Sequence, residues 1–202
     1  MDFIEKVKGL LLDPTGTYQQ LKEEDLGGAL RYFIIWLLIF AVLAAISIAI
    51  VGTAFISMMP QSEDLAMFNS IFGTASGFVL GGIVFIMILI GGIIGVFVGG
   101  LIIHLGVLLV GGSRGYTETV KSIIYGGTPS YLFGWIPVIG FIGSIWALIL
   151  VIFGIKELQD VTIGKAVLAV LIPVIIIAAI FGFFVLGAVL AGLSNMTFPT
   201  TP

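Results

Sequence analysis

The chain has 202 residues, of which 59% are hydrophobic and only 9% are charged, and its formal net charge is −3. Several apolar runs reach or approach the ~20 residues that cross a bilayer, so the composition excludes a soluble domain and indicates an all-α, polytopic integral membrane protein. Because cysteine is absent, disulfides, thiolate chemistry and cysteine-based metal sites are excluded as well.

The first 29 residues are predicted to form a cytosolic amphipathic segment. Their apolar residues recur at helical spacing, while Lys6 and Lys8 fall outside the apolar stripe. The stripe consists of Phe3, Ile4, Val7, Leu10 and Leu11. Such a helix either lies in the headgroup region of a membrane or packs on the protein's own membrane face. Asp13 and Pro14 then end it and begin a second helix, as N-cap and first helical residue.

Hydropathy and charge together predict a bundle of five transmembrane helices. The spans are residues 30–51, 78–110, 119–137, 138–155 and 165–193, and a short outside tail follows at 194–202. This topology places all eight Lys and Arg residues on one side of the membrane, as the positive-inside rule favours. Splitting the second span or removing the third would place at least two of them on the other side. We therefore expect a multi-pass protein of the cell membrane, with a cytosolic N-terminus, a five-helix domain over residues 30–193 and a C-terminus outside.

The second span is the organising helix of this predicted bundle. It carries no charged residue, and five of its glycines fall within an arc of roughly 60° on one side of a helix. This glycine seam consists of Gly81, Gly92, Gly95, Gly99 and Gly106. Small residues let helices approach closely in a bilayer, so we expect a neighbouring helix against the seam, with the third or fifth span at Gly95. The alternative is a glycine-lined path for a small substrate.

Glycine and proline interrupt the third span at Gly126, Gly127, Pro129 and Pro137. A broken helix is tolerated in a membrane where its neighbours satisfy the freed backbone groups, so this segment should be buried among other helices. Pro173 should kink the fifth span in the same way. In transporters such breaks mark substrate sites. A small-solute transporter or channel built on the third and fifth helices is therefore the alternative function.

The predicted membrane interior offers one titratable candidate for catalysis, His104. The nearest serine, Ser113, lies toward the inner end of the same helix, so we expect His104 to be a packed or interfacial histidine that projects away from the glycine seam. The glycine-rich segment 111–116 is expected to form a tight turn, because it lacks the spacing of a phosphate-binding loop. Accordingly, no enzymatic activity, cofactor, metal or nucleic-acid partner is expected.

The glycine, proline and aromatic patterns resemble those of a known family. They include LLDPTGTYQQL near the N-terminus, GGSRGYTETVKSIIYGGTPSYLFGWIP over the third span, and GFIGSIWALILVIFGIKELQDVTIGKAVLAVLIP over the last two. The chain resembles the Yip domain family, the Ypt/Rab-interacting proteins, in the form found in prokaryotes. The resemblance implies a five-span domain with its N-terminus in the cytosol.

The short N-terminal segment limits how much of the family's known function can be expected of this chain. Eukaryotic members of the family are associated with small GTPases of vesicle traffic and with shaping Golgi and endoplasmic reticulum membranes. This chain has some 29 residues where they carry a long cytosolic region, which argues against small-GTPase binding. The expected function is a non-enzymatic scaffold, membrane-organising or trafficking-adaptor role. The expected partners are the lipid bilayer and other membrane proteins, or a second copy of the chain bound through glycine seams.

Overall fold

The structure is a computed structural model that describes residues 1–58, 62–72, 75–136 and 138–194. Within these ranges the chain forms nine α-helices and no strand, so the predicted all-α fold is confirmed. In chain order they are α1 (Phe3–Leu12), α2 (Pro14–Leu21), α3 (Leu26–Met58), α4 (Glu63–Phe72), α5 (Ser76–Leu109), α6 (Tyr116–Gly126), α7 (Thr128–Phe133), α8 (Ile139–Leu158) and α9 (Ile163–Ser194). The predicted tail, from residue 195 onward, lies outside the described residues.

The first two helices begin where local capping chemistry places them. The Asp2 carboxylate accepts a hydrogen bond from the Glu5 backbone N–H at 2.7 Å, and the Glu5 side chain accepts one from the Asp2 N–H in return. Asp13 caps α2 in the predicted way, with Pro14 as the first helical residue. Each cap satisfies donors that a helix start leaves unpaired, so the boundary between α1 and α2 is set by neighbouring residues alone.

Four helices are long and apolar enough to cross a membrane. They are Leu26–Val51 within α3, Gly77–Leu109 within α5, the whole of α8, and Ile163–Gly187 within α9. The chain is therefore a multi-pass membrane protein. The predicted third span is not among the four, because it folds as α6 and α7, which have only 11 and 6 residues. Neither helix alone reaches the ~20 residues that a bilayer requires.

Helices α6 and α7 run antiparallel to α8 at very short range. A methyl group added at Gly126 would come within 2.7 Å of the Val151 backbone nitrogen, and one added at Gly143 within 2.9 Å of the Pro129 carbonyl oxygen. From Gly126 to Pro129 the contacts move back along α8, from Val151 to Gly143, as expected for antiparallel segments. Glycine in α6 and glycine in α8 thus let the two backbones approach each other, as small residues do between membrane helices.

Helix α5 is one uninterrupted helix of 34 residues, roughly 51 Å long. Its N-terminal half packs on α3, where a methyl group at Gly81 would come within 2.7 Å of the Ala45 carbonyl oxygen. Its C-terminal end crosses α9 at Ala169 and Pro173. Pro173 lies inside α9, and every residue from 174 to 187 beyond it is exposed.

The largest buried side chains gather where α1 and α2 meet the start of α3. Tyr18 and Tyr125 are fully buried, and Tyr32 lies between Phe3 and Tyr125 with ring-centroid distances of 5.2 and 5.4 Å. Tilted aromatic pairs of this kind contribute roughly 0.5–1.5 kcal/mol each beyond their burial. The best-packed part of the molecule is therefore at one end of the bundle.

Candidate functional site

Polar chemistry is concentrated at that same end, in a region we call the polar cap. It consists of α1, α2, the α5–α6 connection at residues 110–115 and the α8–α9 connection at residues 159–162. Asp160 is its central carboxylate, accepting from Lys22 Nζ at 2.7 Å and from Arg114 at 2.6 Å. The remaining ion pairs of the described residues also lie at this end: Lys6–Glu24, Lys121–Glu118 and Lys156–Glu157.

Asp160 joins three segments that are distant in sequence. Its hydrogen bond from Lys22 and then that from Arg114 hold the pKa of the carboxyl below its usual value. Its backbone has a φ of 51°, a left-handed conformation that Asp and Asn adopt more readily than other non-glycine residues. This conformation turns the chain out of α8 and aims the carboxylate at the two cations.

Gln159 is a second connector, and sequence reasoning missed it. Its side chain accepts a hydrogen bond from the Arg114 backbone N–H at 3.0 Å and donates to the Gly115 carbonyl oxygen at 2.7 Å and the Thr119 hydroxyl at 3.1 Å. The residue is only 2% exposed. An amide has separate donor and acceptor atoms, so this one side chain can pair both a backbone N–H and a backbone carbonyl of the turn between α5 and α6.

The turn itself has the form that the sequence predicts. Gly111 and Gly115 have φ angles of 87° and 91°, a region in which a side chain would be strained. His104 lies beside it as a packed histidine, with Nδ1 2.9 Å from the Thr119 hydroxyl and its ring edge-on to Tyr116. His104 is therefore part of the polar packing of the cap.

Helix α1 is docked on the protein through a buried lysine. Lys6 forms an ion pair with Glu24, and its ammonium lies 5.9 and 5.8 Å from the ring centroids of Tyr32 and Tyr125. The sequence places Lys6 outside the apolar stripe of α1, yet its side chain is only 9% exposed. The ion pair and the two aromatic rings compensate its burial.

The predicted apolar stripe of α1 is divided between the protein and the surroundings. Leu10 is fully buried, and Phe3 and Val7 pack half-buried against the same core. Ile4 is 55% exposed and Leu11 is half-buried. The side of α1 that contacts the protein therefore includes Lys6, which the stripe does not. The apolar edge at Ile4 is left without cover from the described residues.

The glycine seam of α5 is also divided. Gly81 and Gly92 face α3, and a methyl group at Gly106 would overlap the Ala169 carbonyl oxygen of α9. No atom of a neighbouring helix among the described residues lies within 4 Å of the position of a Cβ on Gly95 or Gly99, so the expected contact at Gly95 with the third or fifth span is absent there. Two glycines of α8 outside the predicted seam, Gly143 and Gly154, also pack against neighbouring segments, with 2.9 Å between an added Cβ and the nearest atom.

The predicted break in the third span lies between α6 and α7. Gly126 is buried against α8, Gly127 precedes α7, and Pro129 occupies the first turn of α7, where a missing N–H costs no helical hydrogen bond. Pro137 lies outside the described residues. The segment from Thr119 to Gly126 is almost wholly buried, as expected for a broken helix among neighbours.

Comparison with known proteins agrees with these features. The family model of the Yip1 domain matches residues 8–186, a stretch that includes α2 to α8 and the membrane-spanning part of α9. No curated protein and no solved structure matches the chain. Since the match extends over most of the sequence, this multi-pass membrane protein belongs to the Yip1 domain family.

Proposed function

We propose that this protein is a non-enzymatic membrane-organising protein whose polar cap lies on the cytosolic surface, with α1 partly inserted between lipid headgroups. The observation that carries the proposal is the uncovered apolar edge of α1. Ile4 and Leu12, 55% and 84% exposed, remain outside the contacts that dock the helix, so α1 is anchored to the bundle and still presents apolar groups beside it. A helix held in this way at the headgroup level would displace lipid on one leaflet only.

The same proposal includes five crossings, with α6 and α7 together forming the third. The antiparallel contacts with α8 carry α6 and α7 away from the polar cap, and residues 116–133 measure roughly 27 Å as near-continuous helix, close to the ~30 Å hydrocarbon core. All eight basic residues then lie on the polar-cap side, which favours a cytosolic N-terminus and an outside C-terminus.

Labelling of single cysteines tests this topology, since the natural chain contains none. We expect an impermeant thiol reagent to label Val138→Cys from outside whole cells, because Val138 is 79% exposed at the end of α8 remote from the cap. Ser113→Cys, in the polar cap, should remain unlabelled until the cells are opened. Ser62→Cys, between α3 and α5, is the positive control. Labelling of Ser113→Cys in intact cells contradicts the topology.

Liposome reconstitution tests the function. We expect the protein to narrow the size distribution of liposomes, and the double variant Ile4→Glu/Leu12→Glu, which changes the two exposed apolar residues of α1, to do so much less. Each apolar side chain that loses its lipid contact forfeits up to roughly 1.5–3 kcal/mol of burial, and a carboxylate is placed at the lipid boundary. Gln20→Glu, which adds one carboxylate at an exposed position in α2 away from the apolar edge of α1, is the control and should remodel like the parent. Equal remodelling by the parent and the double variant would contradict the role given to α1.

A further inference from the structure

A cavity of about 210 Å³ lies between α1 and the first turns of α3. Two oppositely charged residues, Lys6 and Glu24, line it and pair with each other, and Arg31 is its third charged residue. The other lining residues are Phe3, Gly28, Tyr32 and Ile35.

Arg31 differs from most cations at this end of the bundle because it has no acidic partner among the described residues. The ion pairs of the described residues occupy Lys6, Lys22, Arg114, Lys121 and Lys156. Arg31 takes part in no ion pair or side-chain hydrogen bond within the part of the chain that the structure describes, and it is exposed. Of the residues that line the cavity, Lys6 and Arg31 are positive and Glu24 is negative, so the lining itself carries a net charge of about +1.

The position of Arg31 along α3 places it at the boundary between water and lipid. It lies five residues after the start of the helix, roughly 7.5 Å along the axis. Exposed apolar side chains continue from it along the same face of α3 for roughly 22 Å, longer than one leaflet's share of the ~30 Å hydrocarbon core. They are Ile35, Ile39, Val42 and Ile46.

The geometry points to this cavity as a binding site for the phosphate of an anionic phospholipid. A guanidinium presents two parallel N–H donors that match phosphate oxygens, and an unpaired one is free to do so. The acyl chain would follow the apolar stripe that begins at Ile35, and the Lys6–Glu24 pair would close the protein side of the site. The site does not depend on membrane remodelling, so either property can fail without the other.

Thermal melting of the purified full-length protein in neutral detergent tests the site. We expect phosphatidylglycerol, at about ten times its dissociation constant, to raise the melting temperature by roughly 3–6 °C, and phosphatidylcholine to raise it much less. Arg31→Gln should melt like the parent without lipid and lose most of the phosphatidylglycerol shift. Lys165→Gln is the matched control, because Lys165 is another exposed cation at this end that joins no described ion pair, and it should keep the shift.

Two results would overturn the proposal. One is a full phosphatidylglycerol shift in Arg31→Gln, or no shift in the parent, since either means that the cavity does not select the lipid. The other is an equal shift with inorganic phosphate at the same concentration, which would make the cavity a site for a free anion. Native mass spectrometry should agree with the melting data, with the parent and Lys165→Gln retaining phosphatidylglycerol and Arg31→Gln losing it.

Discussion

Gly106→Ala is expected to lower the melting temperature of the detergent-solubilised protein, although alanine is the better helix former. An added methyl group would overlap the Ala169 carbonyl oxygen and approach Pro173 Cγ to 2.9 Å. The oxygen belongs to the α9 backbone and cannot rotate away, so α5 and α9 must separate. Overpacking typically costs about 1–3 kcal/mol, against a gain of up to ~1 kcal/mol in helix propensity. For a chain of this length the net loss corresponds to a fall of several degrees.

Gly95→Ala is the matched control, because Gly95 lies in the same helix and no described atom of a neighbouring helix lies within 4 Å of an added Cβ. It should melt at or slightly above the parent temperature, since only the gain in propensity applies. A large loss at Gly95 would mean that another membrane protein or a second copy of the chain covers this part of the glycine seam. Unchanged melting for Gly106→Ala would contradict the α5–α9 crossing.

Gln159→Leu is expected to destabilise the polar cap strongly. Leucine preserves most of the side-chain volume but leaves the Arg114 N–H and the Gly115 carbonyl without the bonds they make to Gln159. The bonds to Arg114 and Gly115 are part-buried and the bond to the Thr119 hydroxyl is buried, and each contributes about 0.5–1.5 kcal/mol, so losing all three should cost a few kcal/mol. We expect a lower melting temperature and faster cleavage by trypsin after Arg114, because the α5–α6 turn loses its attachment to α8.

The control for this change is Gln20→Leu, an exposed position in α2 with no hydrogen bond from its side chain among the described residues. It should leave both the melting temperature and the rate of cleavage near those of the parent. If Gln159→Leu were as stable as Gln20→Leu, water would be satisfying the turn, and Gln159 would not connect α8 to it.

Much of this architecture follows from residues that are close together in the sequence. Capping by Asp2 and Asp13 needs partners only three residues away, so the start of α1 and α2 could be predicted. Long apolar runs likewise determine which helices can cross a bilayer, because a helix pairs its own backbone groups in lipid and about 20 consecutive apolar side chains match the hydrocarbon core. The glycine, proline and aromatic spacing was enough to indicate the family, which the family match over residues 8–186 confirmed.

The tertiary structure alone decided which side of each helix is covered. Lys6 lies outside the apolar stripe of α1 by periodicity, yet it is buried beside Glu24, Tyr32 and Tyr125. Gly95 and Gly106 share one side of α5, but only Gly106 meets a neighbour. Gln159 bonds to groups 40 to 45 residues away. Periodicity describes one helix by itself, whereas burial and hydrogen bonding depend on where distant segments of the chain cross it.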